Sequence, residues 1–117
     1  MLRPAALLAA ALFLGSLSAS AADISGKWTF HVKFTLGSGD PWFEFHQDGE
    51  KLTGTYHGRF GVAPLNGTVK GNEVEFSSVN DKGTGHYKGT LAGDTIKGTA
   101  KYPFPLGTGH FEGKRTP

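Results

Sequence analysis

From Trp28 to Phe34 apolar and polar residues alternate without interruption: Trp28, Phe30, Val32 and Phe34 are separated by Thr29, His31 and Lys33. A period of two sends the first set to one side of a strand and the second to the other, so one face is buried and the other wet. The same alternation runs on to Phe111-Glu112-Gly113-Lys114-Arg115, and no stretch beyond residue 22 carries the helical period. The pattern predicts an all-β chain of about eight antiparallel strands, near 25–34, 41–47, 50–58, 63–70, 73–79, 84–92, 95–102 and 107–115. Residues 65–74 resemble residues 87–96, and 83–89 resemble 107–113, the internal similarity that repeated hairpins of an up-and-down meander give. The chain is too short for a propeller. Closing the meander into a single small barrel removes the edge strands that an open sheet would expose.

The first 22 residues read as a signal peptide. Arg3 supplies a positive start, Ala5 through Leu14 an apolar run, and Ser18-Ala19-Ser20-Ala21-Ala22 a small-residue cleavage site, with the barrel domain occupying 23–117. The run is too short to span a bilayer, so no membrane span is expected after cleavage, and the domain is expected to be periplasmic or secreted. The chain has no cysteine, so its stability must come from its core or from oligomerisation. Without Arg3 it has 11 basic residues against 10 acidic, a balance that gives no footprint for nucleic acid.

Short turns fix the strand register. Gly71-Asn72 pairs Val69 with Val74, and Gly93-Asp94 pairs Leu91 with Ile96, each without a face conflict. Asp48-Gly49, read as the turn, pairs Phe45 with Leu52 and His46 with Lys51. Longer connections are expected at 37–40, 59–62, 80–83 and 103–106. Alternate loops of a meander share an end, so one rim should be closed and the other open. A four-residue first loop would set His31 opposite His46.

Gly26-Lys27-Trp28 at the start of the first strand, with Arg115 ending the last, resembles the signature of the calycin superfamily, which includes lipocalins, fatty-acid-binding proteins and avidins. The resemblance implies that Trp28 plugs the closed end and that Arg115 covers its ring, a cation–π contact worth ~0.5–2 kcal/mol. Residues 49–56 are similar to the third strand of avidin-type proteins. No Trp follows Trp42 and no helix follows the barrel. The chain therefore looks like a minimal, lipocalin- or avidin-like, bacterial-type secreted member.

By parity the inward face carries large residues on the early strands and small ones, many of them the chain's 18 glycines, on the late strands. Two outcomes fit. The glycines let Phe43 and Phe76 lie over them and fill the lumen, or they leave a small pocket at the open rim. In the second case Phe34, Phe43, Tyr56, Tyr87 and Tyr102 line it, with Trp42, Phe60 and Phe104 beside them at the rim. The five histidines fall on the outward face and read as a solvated row, so no metal is expected. With no cysteine, no nucleophile motif and no inward carboxylate pair, neither an enzyme nor a cofactor is expected. The outward face, with Thr29, His31, Lys33, Glu44, Lys88 and Lys97, lacks the apolar band of a membrane barrel. The expected function is binding of a small apolar or amphipathic ligand near the open rim; the alternative is a protein partner held by the rim loops around a packed lumen.

Overall fold

The computed structural model describes residues 23–80 and 83–117; the signal peptide read over 1–22 lies outside them, as do Asp81 and Lys82. Nine strands follow in order: β1 Gly26–Phe34, β2 Gly37–Gly39, β3 Trp42–Asp48, β4 Lys51–Gly58, β5 Gly61–Lys70, β6 Glu73–Asn80, β7 Gly83–Ala92, β8 Thr95–Tyr102 and β9 Gly107–Arg115. β1 pairs antiparallel with both β2 and β3, each strand from β3 to β8 pairs antiparallel with the next, and β9 pairs with β1, which closes the sheet into an up-and-down barrel. The short β2 and the longer β3 both lie on the side of β1 away from β9. They keep one register: Val32 faces Gly39, the Phe30 amide donates to the Pro41 carbonyl at 2.9 Å, and Thr29 faces Trp42. They are one barrel strand interrupted at Asp40-Pro41, where proline has no N–H for the ladder. The closed barrel therefore has eight strands, and β2 is the extra piece.

This corrects the first connection. Residues 37–39 are strand, Thr35-Leu36 form the turn, and His31 faces Asp40 across the hairpin at 2.7 Å instead of facing His46. The shorter turn lets three more residues join the ladder. The turns at Gly71-Asn72 and Gly93-Asp94 have the expected register, but Phe45 pairs with Gly54 and Asp48 with Lys51, so the turn residues are Gly49-Glu50. The cause is backbone conformation. Gly49, Gly71 and Gly93 have φ of +62°, +60° and +63°, and each is the first of its two turn residues. Moving the turn by one residue moves every partner by two, so each side chain keeps its face. At the other end Gly58 pairs with Gly61, leaving only Arg59-Phe60 as the turn, so of the open-end connections with described residues only Pro103–Leu106 is long.

Aromatic side chains fill the middle of the lumen. Phe30, fully buried, stacks on Phe111 at 4.6 Å and touches the Phe43 ring at 4.7 Å, with Phe76 and Tyr87 edge-on around it. Such tilted and offset pairs add ~0.5–1.5 kcal/mol each beyond the apolar area they bury. Glycines opposite make the packing close: a Cβ at Gly113 would enter the Phe30 ring, and one at Gly67 would strike the Phe76 backbone.

The closed end is sealed by Trp28 and Arg115, the arrangement the resemblance implies and the parity of the two residues allows. The two face each other across β1 and β9, and the Arg115 guanidinium lies 4.8 Å from the centre of the Trp28 ring. Its nitrogens donate to the carbonyls of Ser25 and Asp23, both at 3.1 Å, and to the Asp94 carboxylate at 2.9 Å. Trp28 Nε1 donates to the carbonyl of Ile24, itself fully buried beneath the plug. A Trp28→Ala variant empties the plug and should lose ~3–5 kcal/mol of stability in a urea titration. An unchanged midpoint would contradict the sealing role.

A cleft at the open rim

Above the aromatic layer the lumen opens into a cleft of about 270 Å³. The β1–β2 hairpin supplies Val32, Phe34, Leu36 and the Gly37–Asp40 backbone on one side; Phe60 and Leu106 stand at the other. Two polar contacts hold the hairpin in place: His31 Nδ1 against the Asp40 carboxylate at 2.7 Å, and Arg59 donating to the Ser38 carbonyl at 3.1 Å. Gly39 faces Val32 across the ladder, so both positions point inward, and a Cβ at Gly39 would meet nothing within 4 Å.

The floor carries three phenols on β4, β7 and β8. The hydroxyls of Tyr87 and Tyr102 are 2.6 Å apart, and the Phe60 amide donates to the Tyr56 oxygen at 3.5 Å. Burial pushes all three phenols upward: Tyr102 to about 12, Tyr87 well above the ordinary phenol range with the neighbouring Tyr102 adding to the effect, and Tyr56 more modestly because the Phe60 amide and Tyr102 favour its anion. At neutral pH the three are uncharged and each has one proton to give. The Tyr56 oxygen accepts from the Phe60 amide, so its own proton remains to be donated to an acceptor in the cleft.

Of the residues expected near a pocket, Phe34, Tyr56, Phe60, Tyr87 and Tyr102 line this cleft together. Phe43 lies beneath it, fully buried and edge-on to Tyr56 at 5.5 Å and Tyr87 at 5.4 Å, so it supports the floor. Trp42 is on the outer wall, stacked 3.7 Å from the His57 ring with the Lys27 ammonium 4.3 Å from its centre. Phe104 stands 94% exposed in the Pro103–Leu106 turn, beyond the mouth. Val32, Leu36, Arg59 and Leu106 belong to the cleft but carry no distinctive sequence signal; only the parity of Val32 and the turn position of Arg59 hinted at it.

Three of the five outward histidines are engaged singly: His31 with Asp40, His57 with Thr55 at 3.0 Å, and His86 with Ser77 at 2.9 Å. Among the described residues no three histidine or acidic side chains gather around a point that a metal ion could occupy. No protein-family model matches the chain, and no curated protein does.

The tyrosine floor makes stability fall in alkali. Tyr102 ionises near 10 when unfolded and near 12 when folded, so its contribution is intact below about pH 10 and is lost as pH rises through about 12. Urea midpoints measured between neutral pH and about 12 should decline over that window. A Tyr102→Phe variant should decline less steeply there, and an identical slope would argue against a buried phenol.

Proposed function

We propose that the protein is an exported, non-catalytic binding protein that holds a small apolar or amphipathic ligand in the open-rim cleft. The observation that carries this reading is the change in the lumen: filled by aromatic rings through its middle, it stops being filled where apolar walls and neutral phenols meet. Apolar walls with a few convergent polar groups are the usual composition of a small-ligand site. The volume, below the ~300–1,000 Å³ common for such pockets, supports a compact ligand, with a hydrogen-bond acceptor to meet Tyr56. Trp28 under Arg115 at the closed end supports kinship with calycin barrels, lipocalin-like or avidin-like. Export to the periplasm or beyond is supported by the sequence of residues 1–22. Intact-mass measurement of protein from its own host should then give a mature chain starting at Asp23 or one residue earlier.

A second reading, protein recognition through the rim loops, is supported by the exposure of Phe104. Phe60, by contrast, is turned in against Tyr102, with the rings 5.5 Å apart.

A blocked cleft separates the two. Gly39→Phe adds a ring where a Cβ has free space and φ is ordinary, so the fold should tolerate it. Wild-type protein should bind the apolar probe anilinonaphthalenesulfonate, and the variant should bind it at least about tenfold more weakly with unchanged melting temperature, the loss expected when ~1.4 kcal/mol of contact is removed. Native mass spectrometry of host-purified protein should show a copurifying small molecule. Equal probe binding by both proteins, with no copurifying molecule, would sink the ligand reading.

A further inference from the structure

Every large apolar side chain that is exposed among the described residues lies at the open end: Leu36 at 67%, Val62 at 68%, Val79 at 63% and Phe104 at 94%. They are not a one-sided patch. Leu36 is in the β1–β2 turn and Phe104 in the β8–β9 turn, while Val62, second in β5, and Val79, next to last in β6, lie on the outer wall at the rim, so the four are spread around it. A broad surface that meets the barrel end-on and lets the rim sink a little way into it can reach all four at once. Phe104 is held out between Pro103 and Pro105, whose rings fix the backbone φ, which lowers the ordering cost of presenting it.

Charge is distributed in the same sense. Lys33 ends β1 beside Phe34, Arg59 sits in the β4–β5 turn, and Lys101 ends β8 beside Tyr102; all three are exposed. Among the described residues the carboxylate at this end is Asp40, and His31 engages it. Asp81 and Lys82, in the β6–β7 connection, cancel in formal charge. The closed end instead mixes Asp48, Glu50, Glu73 and Asp94 with Lys51, Lys70 and Arg115, and exposes no large apolar side chain among the described residues. Apolar tips within a girdle of cations are the chemistry of an interfacial membrane contact, in which apolar groups enter the acyl boundary and cations meet anionic headgroups.

We propose that the open rim docks end-on to an anionic lipid bilayer, peripherally, with Leu36, Val62, Val79 and Phe104 in the headgroup boundary and Lys33, Arg59 and Lys101 against the anionic headgroups. The cleft mouth then faces the bilayer, but the docking stands on the rim residues alone and does not need the cleft to hold a ligand.

Vesicle cosedimentation tests it with the mature chain, 23–117, whose described residues form the closed barrel. Vesicles of equimolar phosphatidylcholine and phosphatidylglycerol should pellet the protein, and phosphatidylcholine alone should pellet much less. Salt at ~1 M, where the Debye length is ~3 Å, should weaken the anionic binding. Phe104→Asp and Leu36→Asp, both at exposed positions, should each lower the affinity by about tenfold, the loss expected from one withdrawn apolar side chain. Arg59→Gln with Lys101→Gln should lower binding to anionic vesicles only. Melting temperature and probe binding by Phe104→Asp should stay at wild-type values, and Gly39→Phe should still dock, so failure of docking and failure of the cleft reading are told apart. No pelleting on anionic vesicles, or equal pelleting of wild type and the Leu36→Asp, Phe104→Asp double variant, overturns the proposal. Specific crosslinking at residue 104 to a host protein without vesicle binding overturns it too, and assigns the rim to a protein partner.

Discussion

The seam between β1 and β9 is the constraint on which the rest of the barrel rests. A meander of this length would otherwise end in two bare edges, each a template for further pairing. Trp28 through Lys33 pair with Arg115 back through His110, and two contacts inside the barrel hold that seam. At its closed end the Trp28 ring lies under Arg115, whose remaining donors tie down the Asp23 and Ser25 carbonyls. One turn of the ladder above, Phe30 on β1 stacks on Phe111 of β9 and lies over Gly113. Gly113 is required there because the ring occupies the place of its missing side chain. The ion pair of Arg115 with Asp94 adds little, since the Asp94 carboxylate is 81% exposed and screened by water. The seam is held by packing and by satisfied carbonyls.

That solution decides where anything can bind. Eight strands enclose a lumen only just wide enough to be filled by side chains or to admit one small molecule. Phe30, Phe43, Phe45, Phe76 and Phe111 use the middle, so the remaining space is confined to the rim. The large residues on early strands and the glycines on late strands serve one purpose, since Gly89, Gly98 and Gly113 admit the close approach of neighbouring backbone and rings that a small barrel requires. Of the two meanings the interior composition could have had, filling accounts for the middle and a cleft for the top.

How much of this was legible in the sequence depends on the physical quantity asked for. Facing is set by the two-residue period and survives even a misplaced turn, so residues from Trp28 to Gly113 were assigned to the correct side. Register depends on which residue takes the left-handed conformation. It came out correctly at Gly71 and Gly93, where glycine was placed first in the turn, and slipped by two at Gly49, where glycine was placed second. The β1–β2 hairpin was missed because Gly37-Ser38-Gly39-Asp40 has the composition of a loop, although its backbone pairs with β1. That one segment carries much of the cleft, so the site was less legible than the fold. Ile24 and Ser78, both buried, also escaped notice: one precedes the first strand, and the other is a polar residue whose hydroxyl donates to the Pro64 carbonyl at 3.1 Å.

The two ends of the barrel differ in how firmly they are built, and the difference follows from these same contacts. At the closed end the plug residues are fully buried and a guanidinium bridges three chain segments. At the open end the hairpin over the cleft is held by its ladder to β1, and beyond that by two exposed polar contacts, His31 with Asp40 and Arg59 with Ser38, each worth little in water. Segments with few buried apolar contacts open at low free energy, and binding surfaces are drawn from them. The seam does not depend on that hairpin, because β1 pairs with β9 up to Lys33 on the side away from Gly37–Gly39. The rigid seam and the lightly fastened hairpin therefore share β1, which carries the closure on one side and the wall of the cleft on the other.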